Sequence, residues 1–429
     1  MTYFILPAVM AAMALFSAAS PALSVQQQNA WREDILSFQA QIKTHHIAAF
    51  HHISEAEFDQ QIDTLWSQLA ALNEAQIETE LMRISRSIGD AHTAYNLMSG
   101  PHRHYPLRFK FFAGELRVID TIAAYQHLLG AKLIAINGIP LAQLQQQLKP
   151  YVNYVENQYS FNVAFAFQIT INKFLYGTGV SRQLDRAEFS FSSDSGSSSV
   201  TLDTVTMQQF GSLSSAYSMT TPQLSLTSTG IAGLQFSMLT AYDTVYLDFN
   251  YYPEPAAVQQ HCLALQQSIK QSQLAHLVID LRGNMGGNFY SGLALSSCLS
   301  ELDQFDWLNG IYVMIDGATQ SAAMANASQF KQLLNATLVG QPSGADPNHY
   351  METRRLSLPN SGRKFSVSKR YYQFVLQPTD ALYPDISYQE SWQAYKNNQD
   401  AVLLQLLNHI EKKQRRVARH DFPVLMLGW

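Results

Sequence analysis

His276-Leu-Val-Ile-Asp-Leu-Arg-Gly-Asn-Met-Gly-Gly287 is the stretch that decides the fold. Its first seven residues form a near-continuous apolar run, the pattern of a strand buried on both faces. Helical spacing surrounds it, at Ala256 to Gln271 before and Gly286 to Leu302 after. Ile311-Tyr-Val-Met-Ile315 reads as the next strand, Ser321 to Leu334 as a helix, and Thr337-Leu-Val-Gly340 as another strand. Strands separated by helices predict right-handed parallel crossovers and an α/β core. In such sheets ligands bind beyond the carboxyl ends of the strands. The glycines at 283, 286 and 287 stand there, where a bare backbone can approach a ligand and offer N–H groups. The turn suits an oxyanion hole or a phosphate cradle. It lacks the Lys-Ser/Thr ending of a P-loop and the spacing of a dinucleotide fingerprint.

Two further places in the chain carry chemistry. Strand 311–315 runs into Asp316-Gly-Ala-Thr-Gln-Ser321-Ala-Ala, which sets a serine where a turn enters a helix. Small neighbours and the positive helix end suit a nucleophilic hydroxyl, although a plain N-cap serine has the same local look. Ile88-Gly-Asp-Ala-His92-Thr puts a histidine just past a helix end. Histidine is the usual base for a serine nucleophile, but it is one of 13 in the chain. His45, His46, His51 and His52 read as solvated helix positions, because zinc pairs prefer i, i+4. No metal or cofactor is expected.

The chain has 429 residues, a length that suggests two to three domains of roughly 150 residues. Hydrophobic residues make up 47% and charged residues 14%, against about 25% charged in an average domain. That much apolar side chain excludes a disordered protein. A net charge of −5 leaves no basic footprint for nucleic acid. Two cysteines exclude a disulfide-dense scaffold and a cysteine-built metal centre. Phe4 to Phe16 is apolar, too short for a membrane span, and runs into Ser17-Ala-Ala-Ser-Pro-Ala-Leu-Ser24. This is the form of a signal peptide, so residues 1–24 are expected to direct export, with cleavage after Ala22 or Ser24 and no stable membrane insertion. In an oxidising compartment Cys262 and Cys298 could pair or could remain two buried thiols.

Residues 29–90 read as helices, with Phe58, Ile62, Leu65, Trp66 and Leu69 at helical spacing and Ser54 and Glu57 as a capping box. A following helix over about 75–88 stops at Gly89. Leu107 to Phe112 and Glu115 to Asp120 read as strands, and Lys132 to Ile136 as a strand entering an Asn137-Gly138 turn. A short helix follows from Leu141 to Leu148, which completes a small α+β module. Residues 156–178 read as helical, and the Ser-rich run 189–204 as a hairpin or linker.

The blocks Val278 to Gly287, Thr319-Gln-Ser-Ala-Ala323, Leu338-Val-Gly-Gln-Pro-Ser-Gly344, Leu358-Pro-Asn-Ser361 and Tyr383-Pro-Asp-Ile386 together resemble the tail-specific, or C-terminal-processing, serine peptidases of peptidase family S41. Gly89-Asp-Ala-His-Thr93 resembles that family's histidine motif, and residues 115–149 its degenerate PDZ-like module. The resemblance implies a crotonase/Clp-protease-like β-β-α core. It implies an N-terminal helical domain over 25–100, a PDZ-like module with its following helix over 101–188, and a catalytic core over 189–429. No lysine occupies the place of the family's Ser–Lys dyad, and Lys331 comes too early, so the chain looks like the tricorn-core branch. Carried over by position, Ser321 would be the nucleophile and His92 the general base, with N–H groups of Gly286, Gly287 and Ala322 as oxyanion donors. The family's acidic residue has no glutamate at its place; Asp380 is the nearest substitute and Gln377 a neutral one. Ala91 stands where tricorn-type enzymes carry a serine. The implied function is an exported serine endopeptidase that acts on polypeptides, with a homo-oligomer as one possible state. The competing expectation is an inactive relative that binds an apolar ligand or a partner peptide.

Overall fold

The computed structural model describes residues 23–194, 196–213 and 216–420. The predicted signal peptide falls outside these residues, apart from Leu23 and Ser24.

Three helices open the described chain: Val25–His45, Glu55–Gln68 and Glu74–Ser87. Each starts with a complete capping box, on Ser24, Ser54 and Asn73, which satisfies N–H groups that a helix start leaves open. Their apolar faces (Phe38, Phe58, Ile62, Leu81) are buried in one core with the next module. The third helix stops where the sequence places its glycine, with Gly89 at φ 97°. The first helix ends at His45, so His46 leaves the helix and is buried, contrary to the solvated reading of that histidine cluster.

The small module is an antiparallel sheet in the order Leu107–Phe112, Glu115–Thr121, Lys132–Ile136, Arg186–Ser193 and Gly196–Asp203. Asn137 and Gly138 both have positive φ, as an Asn-Gly hairpin turn demands. The Ser-rich run is a hairpin that extends this sheet through Asp203, rather than opening the core at residue 189.

The core is a seven-stranded sheet in the order Ile386–Ser387, Thr337–Gly340, Ile311–Ile315, His276–Asp280, Thr244–Phe249, Leu234–Leu239 and Thr227–Ser228. The first five run parallel to one another, Leu234–Leu239 runs antiparallel to them, and Thr227–Ser228 pairs antiparallel with Leu234–Leu239. Helices Pro255–Lys270, Phe289–Leu299 and Ala322–Leu333 cover one face. The C-terminal helix Ala401–His420 covers part of the other through Leu403, Leu406 and Leu407 against Val278 and Met314. Every residue of the strands 276–280 and 311–315 is therefore buried, which explains their unbroken apolar runs. The two exceptions stand at the ends of strand 276–280: His276 Nδ1 lies 3.1 Å from Asp243 O, and Asp280 is paired by Arg282 at 2.6 Å, whose guanidinium also reaches Asp400 at the start of the C-terminal helix. Cys262 and Cys298 form a disulfide that joins two of the covering helices, with Cα atoms 5.7 Å apart.

A third element decides where the early histidine goes. Asn348–Ser357 and Lys364–Gln373 form a long antiparallel ribbon that rises from the core. The segment Ala94–Tyr95 adds to its edge, with Ala94 opposite Ser366. The tip of the ribbon is tied to the first helix, where the N–H groups of Asn360 and Ser361 donate to Asp34. Buried Glu78 receives Lys173, Arg363 and the Tyr95 hydroxyl, which closes a charge network beside the ribbon's tip. Among the described residues, no helix is long and apolar enough to cross a membrane.

Candidate active site

Two loops at the carboxyl end of the parallel strands are sewn together. Asp316 accepts N–H bonds from Gly283, Ala318 and Thr319 at 3.0–3.1 Å. The Thr319 hydroxyl donates to Leu281 O, and Gln320 N–H donates to Asn284 O. Ser321 follows, held at φ 50° and ψ −125° at the N-cap of helix 322–333. A non-glycine residue in that region stores roughly 1–3 kcal/mol of strain, the kind that aims a side chain at a site. Gly286 passes so close beneath it that a Cβ there would stand 2.8 Å from Ala322 N and 2.9 Å from Ser321 Cβ.

His92 arrives on the turn after the third helix. Asp90 builds that turn: Oδ1 accepts from His92 N–H (3.0 Å), Thr93 N–H (2.7 Å) and the Ser368 hydroxyl (2.6 Å). Its Oδ2 meets His46 Nε2 at 2.9 Å. Burial alone would raise the Asp90 pKa, but these partners win and hold it at about 2. The Ser366 hydroxyl donates to His92 O, so the ribbon fixes the histidine's main chain. The outcome is that His92 Nε2 lies 2.9 Å from Ser321 Oγ, across 229 positions of sequence. Burial pushes the His92 pKa below its ordinary value, against the opposing charge of Asp90, which favours the neutral imidazole a base must be.

The carboxylate that faces the other ring nitrogen is Glu156, with Oε1 3.7 Å from His92 Nδ1. That gap is longer than a hydrogen bond. Its other oxygen, Oε2, accepts from Asp346 N–H at 2.8 Å. Burial raises the Glu156 pKa well above its usual value, and the Asp346 N–H opposes this only in part. Asp380 is exposed, and its carboxylate accepts from the Tyr383 hydroxyl at 3.0 Å. Only its main chain approaches this region, where Asn157, next to Glu156, donates to Asp380 O. The expected acid and the carboxylate beside the ring are thus different residues. Glu156 carried one legible sign: it is the only charged residue between Lys149 and Lys173.

The three expected oxyanion donors also divide. The Gly286 N–H is committed to Asn284 Oδ1 at 2.9 Å and is not free for a ligand. The N–H groups of Gly287 and Ala322 have no acceptor among the described residues. Lys331 is ion-paired with Asp385 and takes no part in the site. Beside Ser321, Met285 and Gln320 border a cavity of about 660 Å³ whose walls include Leu97, Met98, Phe109 and Phe167.

The chain has the fold of mature CPAF. It aligns with mature CPAF complexed with lactacystin at a TM-score of 0.61 and 12% identity, covering 93% of this chain and 100% of that one. A second structure of mature CPAF aligns at a TM-score of 0.59 and 12% identity, over 94% and 100%. At such identity the likeness is one of architecture: N-terminal helices, a small α+β module and a β-rich core. No protein-family model matches the sequence, and none of the curated proteins compared with it does.

Proposed function

We propose that the protein is a serine endopeptidase that works through an acyl-enzyme on Ser321. The observation that carries this reading is the 2.9 Å contact between His92 Nε2 and Ser321 Oγ. As substrate enters, Nε2 takes the Oγ proton while Oγ attacks the scissile carbonyl. The developing oxyanion is received by the Ala322 and Gly287 N–H groups, and one such donor is worth about 10²–10³ in rate. The imidazolium then gives its proton to the leaving amine, and water, activated by the same nitrogen, releases the acyl group. Glu156 is the group that faces the positive ring; closing a gap of under 1 Å would make it the orienting acid, as catalytic hydrogen bonds tighten on substrate binding. The apolar cavity beside Met285 and Gln320 would accept apolar side chains of an extended polypeptide. Export is part of the proposal, supported by the leader-like residues 1–24 and by the Cys262–Cys298 bridge, which suits an oxidising compartment.

A fluorophosphonate probe should label the protein on Ser321, and Ser321→Ala should abolish labelling without loss of the folded state. Undiminished labelling of the alanine variant would remove Ser321 from the mechanism. Casein left intact by a probe-reactive wild type would argue against endopeptidase action.

A further inference from the structure

On the side of His92 that faces away from Ser321, three side chains bring ligand atoms together, with the Tyr350 main chain close to the His92 ring and that of Asp346 close to the His349 ring. His92 Nδ1, Glu156 Oε1 and both ring nitrogens of His349 make no hydrogen bond of good geometry among the described residues. His349 is 4% exposed, and the Glu156 side chain 6%. The His349 ring stacks on that of His92, with centroids 5.6 Å apart. One ligand atom from each of the three residues lies within 4.8 Å of the other two, and the His92–Glu156 pair is at 3.7 Å. Buried polar atoms without partners are uncommon and call for an explanation such as an ion. A four-coordinate zinc ion bound at about 2.1 Å holds its ligand atoms roughly 3.4 Å apart, so modest side-chain movements would close this trio around one. Two imidazoles and one carboxylate with a remaining open position form a donor set suited to zinc and its neighbours rather than to calcium or magnesium. The second acid–histidine group, His46 with His51 and Asp90, differs, because Asp90 already uses both oxygens on protein partners.

We propose that His92, Glu156 and His349 form a binding site for a zinc-type divalent cation, and that its occupancy switches the hydrolase off. The chemistry follows from the imidazole tautomer. As a base, neutral His92 carries its proton on Nδ1 and offers the Nε2 lone pair to Ser321. A cation bound at Nδ1 displaces that proton to Nε2, so the ring stays neutral but now donates toward Ser321 Oγ. No lone pair remains to accept the serine proton, and Glu156 is bound to the ion instead of facing the ring. The site is reversible, since removal of the ion restores the first tautomer. The inhibitory half of this inference rests on the proposed hydrolase reading; the binding half stands without it.

The test uses the full chain, freed of metal by chelation, with Zn²⁺ alone for calorimetry and Co²⁺ alone for visible spectroscopy. One equivalent of Zn²⁺ should bind, and Co²⁺ should give the d–d bands of a four-coordinate site. His349→Ala should weaken both beyond the roughly 10–100-fold that outer-shell changes cost, and Glu156→Gln should do the same. His349→Phe fills the buried volume and provides the same readout should the alanine variant unfold. Zn²⁺ should block fluorophosphonate labelling of the wild type, chelator should restore it, and the His349 variants should keep metal-free labelling while resisting Zn²⁺. Equal Zn²⁺ affinity in the His349 variants, or no binding by the wild type, would overturn the site. Binding at the site with labelling unaffected by Zn²⁺ would overturn the switch. If metal-free wild type is never labelled, the hydrolase reading fails, and the Co²⁺ spectrum still decides the site.

Discussion

Asp90→Asn perturbs the site while leaving the side chains of His92 and Ser321 unchanged. The carboxylate of Asp90 organises the whole turn that carries His92, and it lies 3% exposed, so solvent screens it little. Its pKa of about 2 against an ordinary 3.8 is a depression of close to two units, at about 1.4 kcal/mol per unit. The charged form therefore contributes roughly 2–3 kcal/mol to the folded state. Because the folded pKa lies below the unfolded one, this contribution is complete above about pH 4 and is lost as pH falls toward 2. Asparagine keeps an acceptor for the His92 and Thr93 N–H groups but loses the charge on His46 and Ser368. Denaturant unfolding should show the variant less stable by roughly 2 kcal/mol at pH 7, and the difference should shrink steadily below pH 4. A turn loosened by even 1 Å takes His92 out of line with Ser321, so labelling by fluorophosphonate should slow about 10²-fold. A variant as stable as wild type at pH 7, or a deficit independent of pH, would refute the claim that the ionised carboxylate holds this turn together.

Gly286→Ala should abolish labelling and destabilise the protein, because its Cβ would meet Ala322 N at 2.8 Å in a backbone held at φ 97°; normal labelling kinetics would contradict the close approach. Glu156→Gln should slow hydrolysis by about 10²–10⁴. In the wild type, burial and the charges of Asp90 and Asp346 raise the Glu156 pKa, with Arg86 and the Asp346 N–H opposing them. The charge behind the ring is therefore lost as pH falls through a value above the usual carboxylate range, and a pH–rate profile should show that acid limb in wild type but not in Glu156→Gln. The His92 limb should fall below 6.5, since burial lowers that pKa. Replacing both Cys262 and Cys298 by serine frees a loop with a sequence separation of 36, so equilibrium unfolding should show a loss of about 4 kcal/mol on the chain-entropy view.

The parallel core was written in local sequence because both faces of its strands are covered. Strands 276–280 and 311–315 are entirely buried, and that condition forces an unbroken apolar run that pattern reading detects. The same holds for the caps at Ser54 and Gly89, whose chemistry acts within one turn. Ser321 and Gly286 were legible for a related reason: a tight strand–turn–helix passage admits few residue types. What local sequence could not fix was which remote groups meet there. The ribbon edge that seats Ala94 against Ser366 sets the position of His92, and nothing near residue 92 encodes that pairing. Place in the chain favours Asp380, yet Glu156 faces the ring because the turn before helix 158–168 is buried against the 343–346 loop. The order of motifs along the chain determined the scaffold and the turn that carries Ser321. Only the folded arrangement decided which carboxylate, which amides and which second histidine share the space around His92, because such contacts depend on long-range packing that leaves no periodic trace in sequence.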